Sequence, residues 1–295
     1  MSDLTPGTTL PPTAEADPLA PEAETLTLWG DVWRKLKRDK RFWIAATMVG
    51  IFVLMAIVPF IFFTKDPTAC NIHDTALRPS KAHWFGTDLL GCDYYTRVIY
   101  GARTSLEVGL IVSSVELAIA MFAGASAGYF GGWVDTVISR FADVWFSVPT
   151  ILGAILILTM FHGGGPVIVA LAIAVFAWPD MTRLVRAVVI SGKTRGYIRA
   201  ARTMGESGRR ILARHVVPNG IGPVLVFSAY VIGGAVGAEA GLTFLGVGLR
   251  LPAISWGLQL AVADTRFPEL AYLLFFPSLF LCLLIGAFIL LGESL

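Results

Sequence analysis

The residues able to do covalent chemistry in this chain are few, and they fall into no catalytic pattern. Four His and three Cys are scattered over 295 residues. None of them makes the Cys-x-x-Cys or paired spacing that would hold a metal. No nucleophile, base and acid group together, and His215 stands alone in a helical pattern, where a histidine is more often structural. Ser191-Gly192-Lys193-Thr194 ends like a phosphate-binding loop. The glycine required five positions before Gly192 is Ala187, and the residues ahead of it read as helix rather than strand. Any nucleotide site therefore belongs to another polypeptide.

What remains is a basic segment with turns at fixed places. Between Asp180 and His215 stand Arg183, Arg186, Lys193, Arg195, Arg199, Arg202, Arg209, Arg210 and Arg214, against only Asp180 and Glu206. Arg199 to Met204 reads as a helix, Gly205 permits a break, and Ser207 is placed to cap a second short helix over Ile211–His215. Pro218 then opens an apolar stretch, where its missing N–H costs little. The small residues Ala200 and Ala201 would let a partner come close. Segment 192–217 reads as a docking surface.

The elements that carry this segment are membrane helices. The chain is 55% hydrophobic and 15% charged, with a mean hydropathy of +0.70, where a soluble domain carries about 25% charged residues. A net charge of +2 is too small to suggest nucleic acid as a partner. Its surroundings are membrane lipid. Spanning hydrocarbon takes roughly 20 apolar residues as helix. Six candidate spans follow: Phe42–Phe63, Ser105–Ala127, Thr136–Phe161, Val167–Ile190, Ile221–Ala240 and Leu270–Leu291. Trp178-Pro179-Asp180 interrupts the fourth, and the helix is expected to continue past the Pro, carrying Arg183 and Arg186 into the cytoplasm. Residues 1–28 contain no Lys or Arg and read as a disordered cytoplasmic tail. The basic run from Arg34 to Arg41 anchors the first span.

Lys and Arg concentrate on the cytoplasmic side of a membrane protein, so the Asp180–His215 segment and both termini are expected inside. Residues 64–104, the His162–Pro166 turn and Thr243–Glu269 are then outside. The expected organisation is a tail at 1–28, an anchor and first helix at 29–63, an extracytoplasmic loop at 64–104, and a five-helix core at 105–295. Glycines recur every four positions at Gly124, Gly128 and Gly132, and at Gly233, Gly237 and Gly241. Such spacing brings helices close, either within one subunit or across two.

The basic loop also carries a resemblance. Ala200-Ala201, Gly205, His215 and Pro218 resemble the coupling loop of bacterial ABC-importer permeases. More specifically, the chain resembles the C-type permease of dipeptide and oligopeptide importers. The matching stretches are His83–Asp88, Tyr100–Leu106, Ala127–Asp135, Ala200–Asn219, Glu239–Gly248 and Ser255–Gly257, in the family's order. The resemblance implies an all-α, type I ABC importer permease and not an enzyme. Its partners would be a homologous permease, two cytoplasmic ATPase subunits holding ATP and Mg, and an external binding protein. The chain itself would bind no cofactor and no metal. The coupling helix would comprise Arg199, Ala200, Ala201, Gly205, Glu206, Ser207 and Pro218. Peptides are the implied substrate; a nickel chelate or other small solute is the alternative, with an ATP-independent transporter or channel as a further rival.

Two departures matter. Arg199 stands where the family usually has Glu, so the usual acidic contact to the ATPase is missing. Cys92 stands where the family usually has Arg. With Cys70 it lies in the expected outer loop, where oxidation is possible. A bridge between them would close a loop of roughly 20 residues, stabilising it by about 3 kcal/mol; two free thiols are the other reading. Cys282 is expected in packing. Glu239 is read as the one acid deep in an otherwise apolar span, expensive and functional by default. It is expected either at a gate or pathway or in a satisfied structural bond.

Overall fold

The computed structural model of the protein describes residues 34, 36–62, 65–161 and 165–295. The expected tail at 1–28, the end of the first span at Phe63 and most of the His162–Pro166 turn lie outside these. Residues up to Arg38 form a unit of their own, of which Arg34 and 36–38 are described, in helical conformation. The account below concerns Asp39–Leu295.

Among the described residues there is no β-strand, only two isolated bridges, Cys70 with Cys92 and Thr87 with Asp93. Helix α1 spans Lys40–Ile57, started by Asp39, whose side chain accepts from the Arg41 N–H. Helix α2 runs Tyr94–Phe130, beginning well before the expected Ser105. Asp93 caps it by accepting from the Thr96 N–H, so the helix extends at its N-terminal end beyond the apolar stretch. A π-turn at Ala120–Gly124 interrupts its i→i−4 pattern.

The third expected span is not one rod. It forms α3, Gly132–Phe146, and α4, Thr150–Met160, bent by 77°. Pro149 explains the break, because the residue before a proline is pushed out of the helical region. Helix α5, Pro166–Gly192, by contrast runs through Pro179 without ending. The docking segment contains α6, Gly196–Thr203, and α7, Gly208–Ile211, followed by a π-turn at Leu212–Val216 and a last turn at Val217–Asn219. Then come α8, Ile221–Phe244, α9, Trp256–Asp264, and α10, Ala271–Ser294. Among the described residues, five helices can cross a membrane by length and composition, and six if the α3–α4 pair counts as one span. Helix α9, within the expected outer segment, has no counterpart among the expected spans.

Small residues decide how closely these helices pack. A Cβ on Gly124 would lie 2.5 Å from the Thr182 carbonyl oxygen, and one on Gly128 would lie 2.7 Å from that of Arg186. Helices α2 and α5 therefore meet backbone to backbone within one subunit. Gly233 and Gly237 face Ile285 and Phe288 of α10 at ordinary contact distance. Gly132 and Gly241 meet nothing within 4 Å. Around Trp256, which is fully buried, α9 locks to α1 and α2. Its indole N–H donates to the Val98 carbonyl at 2.8 Å, and Phe52 meets it edge-on at 5.9 Å. Gly101 leaves the space for that ring: a Cβ there would sit 2.8 Å from the indole.

Gly124→Ala and Gly128→Ala are expected to lower stability in detergent by about 1–3 kcal/mol each, because the carbonyl they would strike is backbone. Gly241→Ala, with open space and a helical position, should be neutral or slightly stabilising. Thermal unfolding of the purified protein reads the difference.

Candidate functional site

Segment 192–217, the expected docking surface, is built as a folded hairpin of short helices. In α6, Ile198 and Ala201 are buried, while Arg199, Ala200, Thr203 and Met204 are exposed. The two alanines thus part company: Ala201 packs into the protein's own core with Ile211 and Val216, and only Ala200 is open to a partner. Met204 is 81% exposed, a large apolar side chain left in water beside it. Gly205 ends the helix with φ +81°, a conformation that suits glycine. The N–H groups of Gly205 and Glu206 return to the Arg202 and Ala201 carbonyls at 3.0 and 3.2 Å.

Glu206 holds the turn against the helix that follows. Its carboxylate accepts from Arg210 Nε at 3.1 Å and lies 2.8 Å from His215 Nε2. His215 thus latches the turn to the segment that follows α7. Ser207 differs from expectation: it occupies the N-cap position of α7, but its side chain makes no capping bond. Its carbonyl accepts from Ile211 N–H instead, at 2.9 Å. Pro218 lies in the Val217–Asn219 turn just ahead of α8. Arg199 is exposed, with its side chain directed to no partner among the described residues. The segment is tied to α2 through Lys193, whose ammonium donates to the Gly128 carbonyl at 2.8 Å. The arginines of α5 are also engaged. Arg186 pairs through both nitrogens with Asp135, and Arg183 meets Asp143 at 2.9 Å and covers the Phe146 ring.

Residues 65–93 form a second organised region, a lobe ahead of α2. Cys70 and Cys92 form a disulfide, with Cα atoms 4.1 Å apart. The run His83–Asp88 makes the lobe's internal bonds: the Thr87 hydroxyl donates to the Asp74 carbonyl and accepts from the Leu77 N–H, and Asp88 accepts from Leu90 N–H, Cys92 N–H and Arg97. Tyr272 and Tyr94 hydroxyls join this lobe and α2 to α10 through the Thr87 and Leu273 carbonyls. At the centre sits Asp93, which accepts from the Thr96 N–H and hydroxyl on one oxygen and contacts Lys65 and His83 on the other, at 2.9 and 2.8 Å. Burial raises its pKa, but these hydrogen bonds win and hold it below the ordinary carboxylate value.

Glu239 is fully enclosed, in the packing between α2 and α8. It accepts from Ser105 at 3.1 Å and from Thr243 at 3.0 Å, and the Thr243 oxygen in turn accepts from the Leu249 N–H. A second buried acid went unread in the sequence. Glu116, 2% exposed in the middle of α2, lines a cavity shared with Asp180. Its signal was present, an acid inside a long apolar helix, but Glu107 and the serines at 113 and 114 blurred the apolar pattern around it.

Apolar helices with a folded, basic loop between two of them define a multi-pass membrane protein. The model for binding-protein-dependent transport system inner membrane components matches residues 120–295, and that for the N-terminal TM domain of oligopeptide transport permease C matches residues 27–79. The oligopeptide transport system permease protein OppC of Bacillus subtilis (strain 168) is 34% identical over 275 residues, covering 92% of this chain and 89% of that one. The dipeptide transport system permease protein DppC of the same organism is 34% identical over 281 residues, covering 92% and 85%. The glutathione transport system permease protein GsiD of Pectobacterium atrosepticum is 35% identical over 283 residues, covering 94% and 92%. A chain of the MetNI methionine ABC transporter in inward-facing form aligns at TM-score 0.46 and 18% identity, over 65% of this chain and 95% of that one. This chain belongs to the binding-protein-dependent transport inner-membrane components, and within them to the C-type permeases of the dipeptide and oligopeptide importer family. It is a multi-pass protein of the bacterial inner membrane.

The lowered Asp93 pKa gives a testable pH dependence. Its stabilisation is complete above the unfolded carboxylate value of about 3.9 and is lost as pH falls through the lower folded value. At pH 6 Asp93→Asn should be less stable than the natural protein by about 1–3 kcal/mol. The gap in melting temperature should close as pH is lowered past both values.

Proposed function

We propose that this chain is the non-catalytic membrane half of a peptide importer, coupled to ATP hydrolysed elsewhere. Two cytoplasmic ATPase subunits would hold ATP and Mg, a homologous permease would complete the path, and an extracytoplasmic binding protein would deliver di- or oligopeptides. The single observation that carries this is the α6 face, where Ala200 and Met204 stand exposed on a helix whose other side is buried. A small residue beside a protruding methionine offers a groove and a knob to a partner's cleft. The surrounding Arg195, Arg199, Arg202, Arg209 and Arg210 are exposed and suit an acidic rim.

The rest of the coupling set has supporting roles. Ala201 seats α6 on the core, Gly205 and Ser207 shape the turn, Glu206 latches it to His215, and Pro218 leads into α8. Movement of a docked α6 would pass to α8 through this short path and to α2 through Lys193. Glu239, with both oxygens bonded inside the protein, suits a positioning role that fixes the outer end of α8 against α2. Glutathione is a second reading of the substrate, favoured by the 35% identity of the GsiD relative.

Ala200→Trp and Met204→Asp are expected to leave the permease in the membrane while reducing binding-protein-stimulated ATPase activity of the assembled complex at least about tenfold, since each blocks or desolvates a docking contact. Purification in mild detergent should bring the ATPase subunits down with the natural chain and not with these variants. A complex that hydrolyses ATP normally with both substitutions would refute the docking role of α6.

A further inference from the structure

Between α2, α5 and α8, at mid-length of the last two, lies a cavity of about 210 Å³. Its walls are mainly apolar, from residues such as Val112, Ile173 and Val231, but two carboxylates face it: Glu116 from α2 and Asp180 from α5. No Lys, Arg or His lines it. Glu116 is 2% exposed, and its carboxylate makes no hydrogen bond or ion pair among the described residues. Asp180 is exposed and likewise unpaired there.

The nearby cations are already committed. Arg183, one turn along α5 from Asp180, is held by Asp143 at 2.9 Å. Arg186, a further turn on, is held by Asp135 on both nitrogens. Two acids set among membrane helices without a cation are costly, and residues of this kind face water-filled paths or bind what passes through them. The volume exceeds that of one water, about 30 Å³ in liquid, several-fold, so an organic ammonium or guanidinium group has room to enter.

We propose that Glu116 and Asp180 form a cation-selecting site in the translocation path, which favours peptides carrying positive side chains. The proposal rests on the peptide-importer reading above and narrows its substrate class. It also opposes an anionic solute such as glutathione, which two carboxylates would repel.

The test uses the assembled transporter with its binding protein in proteoliposomes and follows ATP-driven uptake of Ala-Lys-Ala, Ala-Ala-Ala and Ala-Glu-Ala. Each is measured for the natural chain, Glu116→Gln, Asp180→Asn and the double variant. Taking variant over natural rate for each peptide cancels the preference of the binding protein, which is unchanged. The expected result is a loss about tenfold greater for Ala-Lys-Ala than for Ala-Ala-Ala, with Ala-Glu-Ala unchanged or faster. Equal ratios for the three peptides, whether lowered or not, would overturn the proposal. So would variants that lose the partner permease on purification, since the carboxylates would then be answering a basic residue of that subunit. Asp180→Asn, at an exposed position, keeps the test available if Glu116→Gln fails to fold. No uptake of any peptide by the natural complex would instead overturn the peptide reading itself, and this inference with it.

Discussion

Between apolar helices there is no water to complete a hydrogen bond, so each polar group must find its partner inside the protein or face a path that water can enter. Most features of this chain answer that constraint. Trp256 gives its N–H to the Val98 carbonyl. Glu239 is shared between Ser105 and Thr243. The lobe of residues 65–93 closes its polar groups around Asp93 and Asp88 before the chain enters α2. Where lipid gives little drive for association, close contact of small residues supplies it, and Gly124 and Gly128 bring the α2 and α5 backbones together.

The same constraint gives meaning to the places where it is not met from within. Glu116 and Asp180 meet no internal cation, and they share a cavity rather than a packed interface. At the docking end the unmet group is apolar: Met204 stands in water beside Ala200. One region wants a positive group and the other an apolar cleft. Helix α5 links them, since it carries Asp180 near its middle and Lys193 just beyond its end, where Lys193 holds α2.

Much of this was legible in the residues. Long apolar stretches mark the spans because hydrophobicity accumulates over about twenty residues and needs no knowledge of neighbours. Gly205, Ser207 and Pro218 mark the turns of the docking loop because their backbone preferences are local. The bend at Pro149 was legible in principle, yet the apolar residues on both sides of it, Val144–Phe146 and Ile151–Leu158, masked it. Pro179 shows the opposite: the same residue type did not end α5, because a helix packed on several sides tolerates a proline that a local rule would treat as a stop. The cap expected from Ser207 did not form, since its side chain makes no bond to α7 although its backbone sits where a cap should.

The sequence by itself determined the class of the protein, most of its spans and the family to which it belongs, because composition, periodicity and motif order are properties of neighbouring residues. Tertiary structure alone decided which alanine of the docking helix faces outward, which glycines touch a carbonyl, and that Cys70 and Cys92 are joined. It also separated three buried or half-hidden acids that look alike as letters: Glu239 is satisfied, Asp93 is surrounded by donors, and Glu116 is left facing a cavity. The physical reason is that a carboxylate's role depends on what lies within about 3 Å of it, and those neighbours come from helices far apart in the chain.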